Sequence, residues 1–149
     1  EKWNGTRLGE LVLHPSKIYS AFVSDLFGGY AHEPLAQVHG VVHVTGGGVP
    51  GKLGRILKAS QLGADLDNAF TPPEVMRFAQ EKGNVTDEEA YRTWNMGNGM
   101  LVISPEPETV IAEAKKNGIV AQLAGKVSSH KGIRISSKGM EKPNQWLIF

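Results

Sequence analysis

The run Gly40-Val-Val-His-Val-Thr-Gly-Gly-Gly48, continued by Val49-Pro-Gly-Lys-Leu-Gly-Arg-Ile-Leu57, carries three structural signals in immediate succession. Val41, Val42 and Val44 are β-branched and form a short apolar run, which predicts a buried strand over residues 40–45. Three glycines follow, and glycine allows the backbone to turn with positive φ and to bring bare N–H groups close to a ligand. Beyond them Leu53, Ile56 and Leu57 fit one helical face, although Gly51 and Gly54 leave the helix start open. The order is therefore strand, glycine loop, helix.

Working outward, Ile18, Tyr19, Phe22, Val23, Leu26 and Phe27 recur at three- and four-residue spacing, which predicts a helix from Pro15 to the stop at Gly28-Gly29. Thr71-Pro-Pro-Glu74 and Thr86-Asp-Glu-Glu89 have the form of capping boxes. The first opens a helix that buries Val75, Met76, Phe78 and Ala79 and ends at Gly83, and the second a shorter helix to about Thr93. Residues 100–103 read as a strand, 106–117 as a helix with Val110, Ile111 and Ala114 inside, and 119–127 as a strand again. Residues 133–135 and 145–149 are candidates for further strands. Helices and strands alternate, so the expected fold is α+β, an α/β sandwich in which helices pack on a mixed β-sheet.

Composition bounds the function. The 149 residues suit one domain spanning 1–149. Lys and Arg number 16 against 15 Asp and Glu, so no overall basic field points to nucleic acid or an anionic membrane. Cysteine is absent, which excludes disulfides, thiolate nucleophiles and thiolate metal sites and fits a reducing cytoplasm. No apolar stretch approaches a membrane span, and the N-terminus has no apolar signal core, so the expected location is cytoplasmic. Glycine is frequent, 18 residues against an average usage of about 7%, and it clusters at Gly46–Gly48 and at Gly97 and Gly99.

Those clusters hold the candidate chemistry. The Gly46-Gly47-Gly48 loop suits either a phosphate, since a helix N-terminus adds partial positive charge, or a tight structural turn. It is neither a Walker loop nor a dinucleotide fingerprint. His43 points to the opposite face from Val42 and Val44, either into a cleft or into hydrogen bonds within a sheet. In Asn95-Met-Gly-Asn-Gly-Met100 the glycines allow a tight turn, and Asn95 and Asn98 offer amide groups to a polar ligand or to the loop itself. Asp65 and Asp67 form a carboxylate pair or a solvated edge, and Arg55 and Arg92 are anion ligands or surface ion-pair partners. The histidines lack metal-ligand spacing, so no metal site is expected.

These residues closely resemble the C-terminal domain of phosphoribosylformylglycinamidine cyclo-ligases, the aminoimidazole ribonucleotide synthetases. The resemblance runs from about residue 8 to about 136. It rests on His43-Val-Thr-Gly-Gly-Gly48, on the segment 83–100 and, above all, on Arg92-Thr-Trp-Asn-Met-Gly-Asn-Gly-Met100. Leu8-Gly-Glu-Leu-Val-Leu-His-Pro-Ser-Lys-Ile-Tyr19 looks like the family's entry segment, where Leu-x-Pro-Thr-Arg-Ile-Tyr is usual. The resemblance implies an enzyme of purine synthesis that uses ATP and Mg2+ to activate the formyl amide of formylglycinamidine ribonucleotide before ring closure. It also implies a homodimer and an N-terminal half carrying an Asp-Gly-Val-Gly-Thr-Lys type segment that binds nucleotide and metal. That segment is not in this sequence, so the 149 residues are expected to be inactive alone. Thr45, Gly46, Gly47 and Gly48 are implied to hold phosphate, with His43 as proton donor or orienting group and Asn95, Gly97 and Gly99 completing the wall. The chain departs from the family where Val49-Pro-Gly-Lys-Leu-Gly-Arg55 replaces a pattern with a Glu-Asn pair and a proline, and at Trp94 and Asn98. A related synthetase or kinase with another substrate, or a non-catalytic phosphate-binding or assembly domain, are the alternative readings.

Overall fold

The computed structural model describes residues 2–3, by their backbone, and 5–149. The elements, in chain order, are β1 (Lys2–Trp3), β2 (Thr6–Arg7), α1 (Leu8–Val12), α2 (Ser20–Leu26), β3 (Gly40–His43), α3 (Gly48–Lys58) and β4 (Gly63–Leu66). They continue with α4 (Glu74–Gly83), α5 (Asp87–Thr93), β5 (Met100–Ile103), α6 (Pro107–Lys116), β6 (Lys126–Ser128), β7 (Gly132–Ser136) and β8 (Trp146–Ile148). The architecture is α+β, with helices packed on a mixed sheet of order β6-β4-β7-β8. Within that sheet β4 and β7 are parallel and the other pairs antiparallel. A separate antiparallel pair, β3 with β5, runs from Gly40↔Ile103 to His43↔Met100. Among the described residues no helix is long and apolar enough to cross a membrane.

The β3–β5 pair is buried on both faces, which explains why Met-Leu-Val-Ile reads as an unbroken apolar run. One face gives Val42, Val44, Leu101 and Ile103 to the main core, which α3 closes with Val49, Leu53 and Leu57 against Ala64, Leu66, Ile133 and Ile135. The other face gives Met100 and Val102 to a second core, where Phe22 and Leu26 of α2 meet Val110 and Ala114 of α6.

The structure departs from the expected elements at several points. The helix expected from Pro15 begins at Ser20: Ile18 is 81% exposed and has no core to face, so the buried stripe starts at Phe22. Thr71 does not cap α4; Pro72 and Pro73 hold the preceding backbone extended, and Pro73 occupies the N-cap. Ala79 of that helix is exposed, and its most buried side chain is Gln80. Of the strand expected over 119–127, only the end at β6 is paired. The carbonyls of Leu123 and Ala124 are taken by the side-chain and backbone N–H groups of Asn68 instead of by a strand. Asp65 is likewise not a solvated edge. It sits on an interior strand and accepts from Arg134 Nε at 2.6 Å and Nη2 at 2.8 Å, with His130 Nε2 at 2.7 Å. The Arg134 guanidinium holds the Asp65 carboxyl well below the usual carboxylate range.

Thr86 does cap α5, its Oγ1 accepting from Glu89 N–H at 3.3 Å. One turn apart on this helix, Asp87 and Tyr91 clasp the loop after β7. The fully buried Asp87 carboxylate accepts from Gln80 Nε2 at 2.6 Å, Ser137 Oγ at 2.8 Å and the backbone N–H groups of Met140, Glu141 and Lys142. The Tyr91 hydroxyl accepts from Lys138 N–H. Burial pushes the Asp87 carboxyl up, but these hydrogen bonds outweigh it and its pKa lies below the ordinary value. The stabilisation is therefore full above the ordinary aspartate value of about 3.9 and is lost as pH falls through the lower folded value. Asp87→Asn turns an amide toward donors and is expected to cost about 3 kcal/mol at neutral pH. Urea unfolding at pH 7 and pH 3 checks this: the penalty of the variant shrinks on acidification, and an unchanged penalty contradicts the account.

Candidate functional site

The β3–β5 ladder brings the two glycine motifs together. Val44 N–H donates to Gly99 O at 3.0 Å, so the chain leaving β3 toward the triple glycine lies beside the chain entering β5 from the Asn95–Gly99 turn. His43 is exposed on the face shared with Met100, its ladder partner. That is the α2 face, and the Tyr19 ring lies 6.1 Å from the imidazole in an edge-to-face arrangement.

The three glycines are not equivalent. Gly47 is the N-cap of α3 with φ 94°, and Gly48 begins the helix with φ 58°. Gly48 is buried, and a Cβ there would lie 2.1 Å from the Tyr91 carbonyl oxygen and 2.8 Å from that of Trp94. Its bare Cα is what allows α3 to start against the end of α5. Gly46 and Gly47, in contrast, are exposed and have open space where a Cβ would point. Thr45 is also exposed, and its carbonyl accepts from Gly48 N–H at 3.1 Å. The first turn of α3 has no acidic residue, so nothing offsets the positive end of its dipole. An open pair of glycines before a helix N-terminus can hold an anion through backbone N–H groups.

The second motif serves its own turn first. Asn95 Oδ1 accepts from Gly97 N–H at 3.0 Å. Asn98 is buried: its Nδ2 donates to Met96 O at 2.9 Å and its Oδ1 accepts from Phe70 N–H at 3.0 Å. Met96 is held at φ 48° with its side chain wholly in the core. Gly97, at φ 85°, leaves no room for a Cβ beside Thr71 O. These contacts fix the turn and leave the Asn95 Nδ2 group as its remaining amide donor. A cavity of about 770 Å3, lined largely by aliphatic side chains, opens behind Gly97, Asn98 and Gly99. His43 and the triple glycine are not on its wall. Among the described residues no three His, Asp or Glu side chains converge as a metal site would require.

Sequence patterning placed Tyr19 on a helical core face and missed that it touches the site. Its position at the end of the Leu8–Tyr19 entry motif was the signal that could have found it.

The family described as AIR synthase related protein, C-terminal domain, matches residues 4–138. The chain belongs to this family. Among curated relatives of this AIR synthase related domain, the phosphoribosylformylglycinamidine cyclo-ligase of Methanosarcina barkeri is 37% identical over 138 residues, covering 93% of the chain and 37% of the relative. The proteins of the same name from Magnetococcus marinus and Methanopyrus kandleri are 35% and 34% identical, covering 87% and 93% of the chain. The domain thus spans little more than a third of the length of these relatives, 35% and 38% for the last two.

The unequal glycines give a direct test. Gly48→Ala is expected to cost about 3 kcal/mol or more, because both φ and a backbone oxygen oppose the new methyl. Gly46→Ala is expected to stay within about 0.5 kcal/mol of the parent. Denaturant unfolding of both variants checks this, and equal losses contradict it.

Proposed function

We propose that this chain is the C-terminal domain of an ATP-dependent cyclo-ligase that converts formylglycinamidine ribonucleotide to aminoimidazole ribonucleotide, with release of ADP and phosphate, in purine synthesis. The observation that carries the reading is the ladder that sets the open Gly46-Gly47 pair, His43 and the Asn95 turn at one end of β3 and β5. The names of the relatives support the reaction class. The reading includes an N-terminal half that binds ATP and Mg2+, assembly as a homodimer and a cytoplasmic location.

ATP supplies a phosphoryl group that makes the formyl amide oxygen a leaving group, after which an internal nitrogen closes the ring. This chain's share is binding, orientation and proton management. The N–H groups of Gly46 and Gly47, with the α3 dipole behind them, hold a phosphate. Thr45 offers a hydroxyl at the same loop. His43, exposed at the strand end, donates a proton to the departing phosphate or orients the amide. Asn95 Nδ2 binds a polar group of the ribonucleotide, while Gly97 and Gly99 keep the turn close to it.

A second reading, a sister ATP-using synthetase with another substrate, is favoured by one observation. Early in α3 the chain has Gly51 and Lys52 where the family pattern has its Glu-Asn pair, so a polar pair beside the phosphate loop is replaced.

Titration of isotope-labelled protein with formylglycinamidine ribonucleotide, ribose 5-phosphate and ATP separates the readings. Saturable shifts of the Gly46 and Gly47 amides and the His43 ring, tighter for the ribonucleotide than for both controls, are the expected result. Equal affinity for ribose 5-phosphate favours the sister synthetase. No shift with any of the three contradicts a ligand role for the loop in this domain.

A further inference from the structure

Tyr19 has no assignment in the reading above, yet it touches both halves of the site. On one side its ring meets the His43 imidazole edge-to-face, with centroids 6.1 Å apart and planes inclined by 66°. On the other, its hydroxyl occupies the space a side chain at Gly99 would need. A Cβ built there would lie 2.1 Å from the Tyr19 oxygen and 3.1 Å from Cζ.

The reason Gly99 is glycine follows from this contact. Gly97 in the same turn has φ 85° and needs glycine for its backbone, but Gly99 is not among the positive-φ residues. Its φ lies outside the left-handed region, and a side chain there would have to displace the Tyr19 phenol. The His43 imidazole, for its part, has no hydrogen bond or ion pair with the described residues. The Tyr19 ring is the contact available to orient the exposed imidazole, since aromatic rings favour such T-shaped arrangements. Tyr19 is itself half-buried, just before α2, and its backbone carbonyl accepts from Val23 N–H at 2.9 Å. Its backbone is thus anchored at the start of α2, from where the ring reaches both partners.

We infer that Tyr19 is a positioning residue: seated on the bare Cα of Gly99, it orients the His43 imidazole and couples the 95–99 turn to the triple-glycine strand. This deepens the proposed function and rests on His43 being a site group. Gly99 in turn is a specificity element for Tyr19, one that admits this side chain by having none of its own.

The test reads His43 ring signals and side-chain couplings by NMR in the full chain, without ligand. Gly99→Ala is expected to push the phenol aside and move the His43 ring signals. Adding Tyr19→Phe removes the oxygen that the new methyl meets, and the double variant is expected to return the His43 signals toward the parent. Tyr19→Leu removes the ring without adding bulk, and the imidazole is expected to average between rotamers while the amides of Met140 and Lys142, held by Asp87, keep their shifts. His43 signals that stay in place in Gly99→Ala while those of Tyr19 move would overturn the inference, as would a single parental rotamer in Tyr19→Leu. Because no ligand is present, these results stand or fall separately from the ribonucleotide titration.

Discussion

Antiparallel pairing of β3 with β5 places the two glycine motifs, about fifty residues apart in the chain, at one end of one ladder. Its register is held from both sides. Val42, Val44, Leu101 and Ile103 must face the α3 core, and Met100 and Val102 the α2–α6 core. A slip of one residue in either strand would turn its whole apolar set to the wrong face. With the register held, His43 has to lie on the α2 face beside Tyr19, and Val44 has to meet Gly99. The site is a consequence of core packing before it is a matter of ligand chemistry.

A second line of support reaches the triple glycine from the C-terminal part of the chain. Asp87 and Tyr91 tie the loop after β7 to α5, and the last carbonyls of α5 and Trp94 form the floor on which Gly48 rests. The buried carboxylate is expensive to desolvate and is retained with a full set of donors. It fixes α5, and α5 fixes where α3 begins. That leaves Gly46 and Gly47 as the open part of the loop, while Gly48 is structural.

Much of this was legible in the sequence. The strand, loop and helix of residues 40–57 follow from β-branched residues, glycines and a helical stripe, and Thr86 caps α5 as its spacing implies. The apolar run at β5 and the family motif around Asn95 were equally plain. What could not be read was long-range. The start of α2 depends on which apolar residues find a partner, and Ile18 finds none. Residues 119–125 have the composition of a strand but spend their carbonyls on Asn68. Asp65 looked like an edge because Arg134 and His130 lie far along the chain. The contact of Tyr19 with His43 and Gly99 joins three segments, none of which announces the others.

The account makes one register responsible for the site, and that register can be measured without ligand or assay. Cross-strand nuclear Overhauser effects between the Hα protons of His43 and Met100, together with hydrogen exchange at Val44 N–H, report on it directly. The predicted result is a cross-peak between these two residues and a Val44 amide among the slowly exchanging ones. An Hα–Hα cross-peak from His43 to Leu101 in place of Met100, or a Val44 amide that exchanges as fast as an open loop, would mean that the two glycine motifs do not meet as described.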